Sequence, residues 1–191
     1  MALILASSSP RRSLLLSAAG LTFTVDVPDV DESPLDLEPP AEYVLRLSAA
    51  KAHAVARNVD DVVLGADTTV VLDGATIGKP RDAADALEML LSLEGRTHSV
   101  LTGWTVIRGE SERFGVEESL VTFHHRSRAE LRDYVARTEP LDKAGAYALQ
   151  GDDGWLVERV AGSRANVMGL PIREVVDALA NFGVDRSASQ G

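Results

Sequence analysis

The chain has no cysteine. That absence excludes disulfides, thiolate metal sites and thiol nucleophiles, leaves any chemistry to oxygen and nitrogen groups, and fits a reducing compartment. Net positive charge is missing as well: 19 Lys and Arg stand against 29 Asp and Glu, a formal charge of -10 at pH 7. This balance disfavours the long-range attraction that binding to nucleic acid or an anionic membrane draws on, so neither partner is expected and any anion site has to be local. No apolar run reaches bilayer-spanning length, and the opening MALILA is too short, and too soon followed by Arg11 and Arg12, for a secretory signal. Repeats, linkers and low-complexity segments are also lacking. A soluble cytoplasmic protein is the expectation.

What remains is a chain of 191 residues, 45% hydrophobic, long enough to bury a substantial core as one large domain or two small lobes. LILA, Leu3 to Ala6, is a strand-length apolar run, and a helix start follows with Ser9 as N-cap and Pro10 at the first helical position. Leu14, Leu15 and Ala18 supply its apolar stripe, and Gly20 its stop. FTVDV then alternates like a strand before an acidic, proline-rich loop that carries Asp29, Asp31 and Glu32. A second helix is predicted from about Ala41 to Arg57 with Val44, Leu47 and Val55 inward.

VVLGADTTVVLDG reads as a strand that breaks at Gly65-Ala66-Asp67 and resumes as a hairpin arm turning at Asp73-Gly74. Asp82 caps a helix to Leu93 closed by Gly95, and two β segments meet around Arg108-Gly109-Glu110. Ser127 and Glu130 form a capping-box pair opening a helix to about Arg137. KAGAYALQG and WLVERV read as strands about a DDG turn, and Pro171 opens a last helix before a loose tail beyond about residue 183. This alternation of strands and helices points to an α/β or α+β class.

Three places carry candidate chemistry. SSSPRRS places hydroxyls and two guanidiniums where a strand gives way to a helix N-terminus, an arrangement suited to anions; the plain alternative is a cap with solvated arginines. LGADTTV sets Asp67 directly behind an apolar run, as a rim carboxylate or as an Asx-turn. IGKP follows Lys79 with a stiff proline, and a surface lysine is the alternative there. Together these segments hold what hydrolysis of a metal-bound triphosphate requires: cations for phosphates, hard oxygen ligands and a base for water.

The same stretches, with VDES, RLSAAKA, GRTHSVLTGW, DKAGAYALQG and GSRANVMGLP, resemble the Maf family of nucleoside triphosphate pyrophosphatases over nearly the whole chain. The resemblance implies an α/β fold of two lobes around a long, curved mixed sheet, with a nucleotide cleft between them, all within one functional domain. It implies cleavage between the α and β phosphates. Family positions fall on Ser7, Arg11 and Arg12, on Glu32, Lys51 and Asp67, and on Lys79. Glu32 and Asp67 would supply ligands to Mg²⁺ or Mn²⁺, Asp67 would act as base, and the lysines and arginines would neutralise phosphate charge. A homodimer is also implied. The run ending in Gln150 resembles the branch acting on dTTP and UTP rather than on 7-methyl-GTP, and Arg12 and Thr68 match the other positions tied to base choice. A carboxamide offers a donor and an acceptor that pair with the N3–H and O4 of uracil or thymine and mismatch cytosine. Arg164 stands where many relatives carry an aromatic, and Ser8 where many carry glycine. His124 and His125 match no family site and are expected to be exposed rather than metal-bound, while Trp104 and Trp155 are assigned to packing. Two alternatives remain: a nucleotide-binding regulator of cell division with little turnover, and a phosphatase releasing phosphate stepwise.

Overall fold

In a computed structural model, residues 1–184 are described. The expected loose tail falls almost wholly outside them. The strands are β1 (Leu3–Ala6), β2 (Thr24–Val25), β3 (Val62–Leu72), β4 (Ala75–Ile77), β5 (Thr97–Arg108), β6 (Ser111–Phe123) and β7 (Val157–Ala161). The helices are α1 (Pro10–Ala18), α2 (Pro40–Val55), α3 (Ala83–Leu93), α4 (Arg128–Thr138), a short α5 (Arg164–Val167) and α6 (Ile172–Ala180). The strands form one seven-stranded sheet in the order β2-β1-β3-β5-β6-β7, with β4 paired to β3. β1 runs parallel to β2 and β3, whereas β4 and β7 pair antiparallel, so the sheet is mixed and the class is α/β.

The described residues divide into two compact units, one of residues 1–68, 102–117 and 169–184, the other of residues 69–101 and 118–168. The first unit's core gathers Leu5, Leu16, Leu64, Val106, Leu170 and Leu179. The second unit's core gathers Leu90, Leu93, Val121, Phe123, Leu131 and Leu156. In the first unit, the register pairs Ala6 of β1 with Gly65 of β3. The loop that begins at Ser7 therefore leaves β1 beside the stretch of β3 that carries Asp67 and Thr68, at the carboxyl end of β1 where α/β sheets place ligands.

Several expectations are corrected. β3 does not break at Gly65-Ala66-Asp67 but runs unbroken from Val62 to Leu72. Its glycine serves helix packing instead: a Cβ at Gly65 would lie 2.1 Å from the Ser48 carbonyl oxygen and 2.8 Å from the Ala52 nitrogen, so only glycine lets α2 come this close. On α1, Leu14 and Ala18 are exposed, and the buried positions are Arg12 and Leu16, one turn apart. Ser9 sits at the N-cap in extended conformation, yet its side chain makes no capping bond. KAGAYALQG is not a strand. It opens with a turn of 3-10 helix at Ala144–Ala146, just after another at Pro140–Asp142, because Gly145 (φ 69°) and Ala146 (φ 60°) take left-handed conformations that end extension. Pro171 is the N-cap of α6 rather than its first residue. The capping box at Ser127 and Glu130 and the Asp82 cap form as expected.

Candidate active site

Helix α2 buries Val44, Leu47, Ser48, Lys51, Ala52 and Val55, the spacing of one helical face. A lysine on that face has to find an anion, since a desolvated ammonium without a partner is costly. Lys51 Nζ finds two: it lies 2.6 Å from Asp67 Oδ1 and 2.6 Å from Glu32 Oε1. Lys51 and Asp67 are both nearly buried, with side chains 9% and 11% exposed, whereas Glu32 is 45% exposed. The cluster thus has a fixed inner pair and an outer carboxylate facing solvent.

Glu32 belongs to a loop, and α2 holds that loop down. Tyr43 donates its hydroxyl to the Glu32 carbonyl at 2.9 Å, and Arg46 donates to the Ser33 carbonyl at 3.1 Å and through Nη2 to Glu38 at 2.8 Å. Glu38 also accepts from the Leu35 nitrogen at 3.0 Å. The bonds from Arg46 hold the Glu38 carboxyl down at about 2, so the staple stays ionised well into acid. Burial, with the nearby charges of Asp67 and Glu32, raises the Tyr43 hydroxyl above its ordinary value. Sequence reasoning missed Tyr43 and Arg46. The signal was their three-residue spacing on the helix that also presents Lys51.

Arg12 is buried and acts as a brace within the first unit. Its Nε donates to the Gly169 carbonyl at 2.8 Å, Nη1 to Ser7 Oγ at 3.0 Å and Nη2 to Thr68 Oγ1 at 3.2 Å. Thr68 in turn shares a 2.9 Å hydrogen bond with Thr102 Oγ1, and Ser7 Oγ accepts from the Ser9 nitrogen at 3.2 Å. A guanidinium has five N–H groups, so these bonds leave two for a ligand. Burial pulls the Arg12 guanidinium below its usual pKa; Asp67 and Glu32 oppose that and Arg11 adds to it. Arg11, half-buried in the first turn of α1, presents the second guanidinium of the motif. Thr102 and Gly169 were not singled out from sequence, although both lie in motifs that were.

The first unit therefore brings together Lys51, Asp67 and Glu32, and separately Ser7, Arg12 and Thr68, with electrostatic coupling between the sets through Arg12. Lys79 and Gln150 belong to the second unit, and both are exposed. Within that unit their segments are tied: the Gly145 nitrogen donates to the Gly78 carbonyl at 3.0 Å. Arg164 is the exposed first residue of α5. His125 is exposed and bonded to Glu94 at 2.8 Å, and Trp155 stacks on Tyr134 at 5.5 Å between ring centres.

Among the described residues no group of three or more His, Asp or Glu is placed to hold a metal. Glu32 and Asp67, brought to one ammonium, offer two hard carboxylates. That donor set is too small for an all-protein cage but fits Mg²⁺ or Mn²⁺ arriving with phosphate oxygens and water as its other ligands. Also among the described residues, no helix is long and apolar enough to cross a membrane.

Comparison with known proteins is consistent in one direction. The family model described as "Maf-like protein" matches residues 2–182. A protein of Symbiobacterium thermophilum named dTTP/UTP pyrophosphatase is 49% identical over 182 residues, covering 95% of this chain and 94% of its own. Proteins with the same name from Geotalea uraniireducens, 48% identical over 95% of both chains, and Myxococcus xanthus, 49% identical over 95% of this chain and 93% of its own, match as fully. A solved nucleoside-triphosphatase (dITP/XTP pyrophosphatase) from Mycobacterium abscessus aligns with a TM-score of 0.40 at 16% identity, over 64% of this chain and 73% of its own, too loosely to bear on the fold.

Proposed function

The chain belongs to the Maf-like family, and from that premise we infer that it is a nucleoside triphosphate pyrophosphatase of the dTTP and UTP branch, releasing the nucleoside monophosphate and pyrophosphate. The observation that carries this is near-half identity over almost the full length of relatives bearing that name.

Asp67 is the base that orients and deprotonates the attacking water. It is held at a fixed place on β3 by direct contact with Lys51 Nζ at 2.6 Å, within reach of a water brought to the site. The water oxygen bonds to phosphorus at the α–β bridge, its proton passes to Asp67, and the bridging P–O bond breaks. Charge on the departing pyrophosphate is met by Arg11, by the N–H groups of Arg12 left over from the brace, by Lys51 and by Lys79. Glu32 and Asp67 would hold a Mg²⁺ or Mn²⁺ that arrives with the triphosphate, and the ion would supply further charge neutralisation on the phosphate oxygens. Ser7 and Thr68 fix Arg12, and Gln150 reads the imide edge of uracil or thymine. The formal charge of -10 argues against nucleic acid or an anionic membrane as partners. A homodimer working in the cytoplasm completes the proposal, and sedimentation and fractionation test both.

The central test incubates the protein with dTTP, UTP, CTP and 7-methyl-GTP in Mg²⁺ or Mn²⁺, with a chelator control, and resolves products. The expected products are dTMP or UMP with pyrophosphate, and no turnover in chelator. Nucleoside diphosphate and inorganic phosphate would mark a stepwise phosphatase, and tight binding without products a regulator. Gln150→Glu replaces a donor by a second acceptor facing O4. An unpaired contact in a desolvated pocket costs about 1–3 kcal/mol, so kcat/KM for dTTP and UTP should fall roughly tenfold to a hundredfold. An equal loss on every nucleotide would refute base reading by Gln150.

A further inference from the structure

His98 is a buried titratable group, 2% exposed, that no step above uses. It stands near the start of β5, and its Nε2 shares a 2.9 Å hydrogen bond with the hydroxyl of Tyr147. The imidazole meets the rings of Phe123 and Tyr147 edge-on, with centroids 4.8 and 5.5 Å away, and those two rings meet each other at 4.8 Å. Its other nitrogen, Nδ1, is buried with no hydrogen-bond partner among the described residues. Whichever tautomer is present, one nitrogen is satisfied and one is not, which makes the imidazole a poorer core residue than an aliphatic side chain of similar size. Burial lowers the imidazole to about 4, which keeps it neutral near pH 7. Core filling alone does not account for it; the Tyr147 bond does.

Tyr147 lies three positions before Gln150, in a stretch with no ladder of its own. The chain from Lys143 to Gln150 makes a 3-10 turn and then irregular structure, with Gly145 and Ala146 in left-handed conformations. A strand or helix would fix the direction of Gln150 through a ladder of backbone bonds; here a single turn bond, from the Asp152 nitrogen to the Leu149 carbonyl at 3.4 Å, spans it, and side-chain anchors add to that. Upstream of Gln150 one anchor is Tyr147, buried at 6% exposure and bonded to His98; Ala148, whose backbone bonds to Tyr134 of α4, and the buried Leu149 are others. Downstream the anchor is Asp152, whose two carboxylate oxygens accept from the Leu156 and Val157 nitrogens, each at 2.9 Å. The same stretch touches the Lys79 loop through the Gly145–Gly78 bond.

We propose that the His98–Tyr147 pair is a positioning device for base selection, holding the 143–150 segment so that the exposed Gln150 carboxamide is presented in one orientation. Neither residue touches the nucleotide; both act through Gln150. The inference rests on Gln150 being the base reader.

Tyr147→Phe tests it with the least disturbance, removing only the hydroxyl and keeping the ring against Phe123. kcat/KM for dTTP and for CTP is measured in wild type, Tyr147→Phe, Gln150→Ala and the double variant, with urea midpoints for each. Tyr147→Phe should lower the dTTP-to-CTP ratio of kcat/KM by roughly fivefold to tenfold, and the double variant should discriminate no worse than Gln150→Ala alone, because two residues acting through one contact are not additive. Backbone hydrogen exchange should quicken over residues 143–151 in Tyr147→Phe and not in α4. A midpoint that falls while the ratio holds would reduce the pair to a structural contact and overturn the proposal. If Gln150→Ala keeps the wild-type ratio, base reading by Gln150 and the positioning role both fall; if Gln150→Ala collapses the ratio and Tyr147→Phe does not, only the positioning role falls. Should Tyr147→Phe fail to fold, His98→Gln against His98→Leu makes the same comparison. The amide of Gln can still meet the Tyr147 hydroxyl and should keep the ratio, whereas Leu should lose it; equal ratios in the two would overturn the proposal.

Discussion

Replacing Asp67 with asparagine separates catalysis from stability at the centre of the site. The amide has nearly the carboxylate's volume and keeps an oxygen facing Lys51 Nζ, now 2.6 Å from Asp67 Oδ1. Lys51 also keeps Glu32, at 2.6 Å, so its ammonium is not stranded. What is lost is the difference between a charged and a neutral hydrogen bond, about 1–1.5 kcal/mol. A domain stable by roughly 5–15 kcal/mol stays folded through that loss. Catalysis responds differently, because an amide accepts no proton from water: kcat for dTTP should fall on the order of a hundredfold or more, about 2.7 kcal/mol or more in the barrier. Lys51→Met gives the contrast. It strands a nearly buried Asp67, and breaking a buried pair costs about 3–5 kcal/mol, the lower end applying because Glu32 is 45% exposed. Pyrophosphate release over time and urea unfolding are measured on both variants. Wild-type kcat in folded Asp67→Asn would refute Asp67 as base. A stability loss in Asp67→Asn as large as in Lys51→Met would refute the claim that Lys51 is the shared hub.

Gly65→Ala places a methyl 2.1 Å from the Ser48 carbonyl oxygen, so α2 has to move away from β3. Overpacking of this kind costs about 1–3 kcal/mol, seen as a lower urea midpoint, and should also lower kcat by drawing Lys51 from Asp67; an unchanged midpoint contradicts the packing account. Arg12→Ala removes the ties to Ser7, Thr68 and Gly169 and should weaken all nucleotides about tenfold or more in kcat/KM, with a further loss that depends on the base; unaltered kinetics would place the phosphates elsewhere. His98 binds protons less readily folded, at about 4, than its unfolded value of 6.5, so between these the unfolded chain holds more protons and stability falls as pH drops from 6.5 to 4. Urea midpoints against pH in wild type and His98→Leu check this, the variant losing less over that window.

Local rules written in neighbouring residues were legible in the sequence. The Ser127–Glu130 capping box, the Asp82 cap and the Asp73-Gly74 turn depend on side chains a few positions apart, and each forms where the pattern places it. The candidate site residues could be named from the sequence as a set of motifs, through a resemblance that spans the chain, because each motif keeps its residues close together; which of them meet could not. Gly65 was visible but misread as a strand break, since from sequence alone a glycine in an apolar run marks either a bend or a close approach, and only the helix lying 2.1 Å from its absent Cβ decides which. KAGAYALQG was misread for the converse reason: its apolar alternation suits a strand, yet Gly145 donates to Gly78 rather than to a neighbouring strand.

The sequence by itself determined most of the elements, though not the turns of KAGAYALQG or the short α5, together with the chemistry on offer and the absence of thiols, because composition and short-range patterns act through the chain's own neighbours. Which charges meet was decided only by the tertiary structure. Lys51 could have been a solvated lysine on α2, and Arg12 a solvated arginine on α1. Their positions on buried helix faces take both out of water, and a buried cation has to be matched by groups distant in sequence: Glu32 and Asp67 for Lys51, and Ser7, Thr68 and Gly169 for Arg12. Desolvation is a property of the packed fold, so no window of sequence contains it.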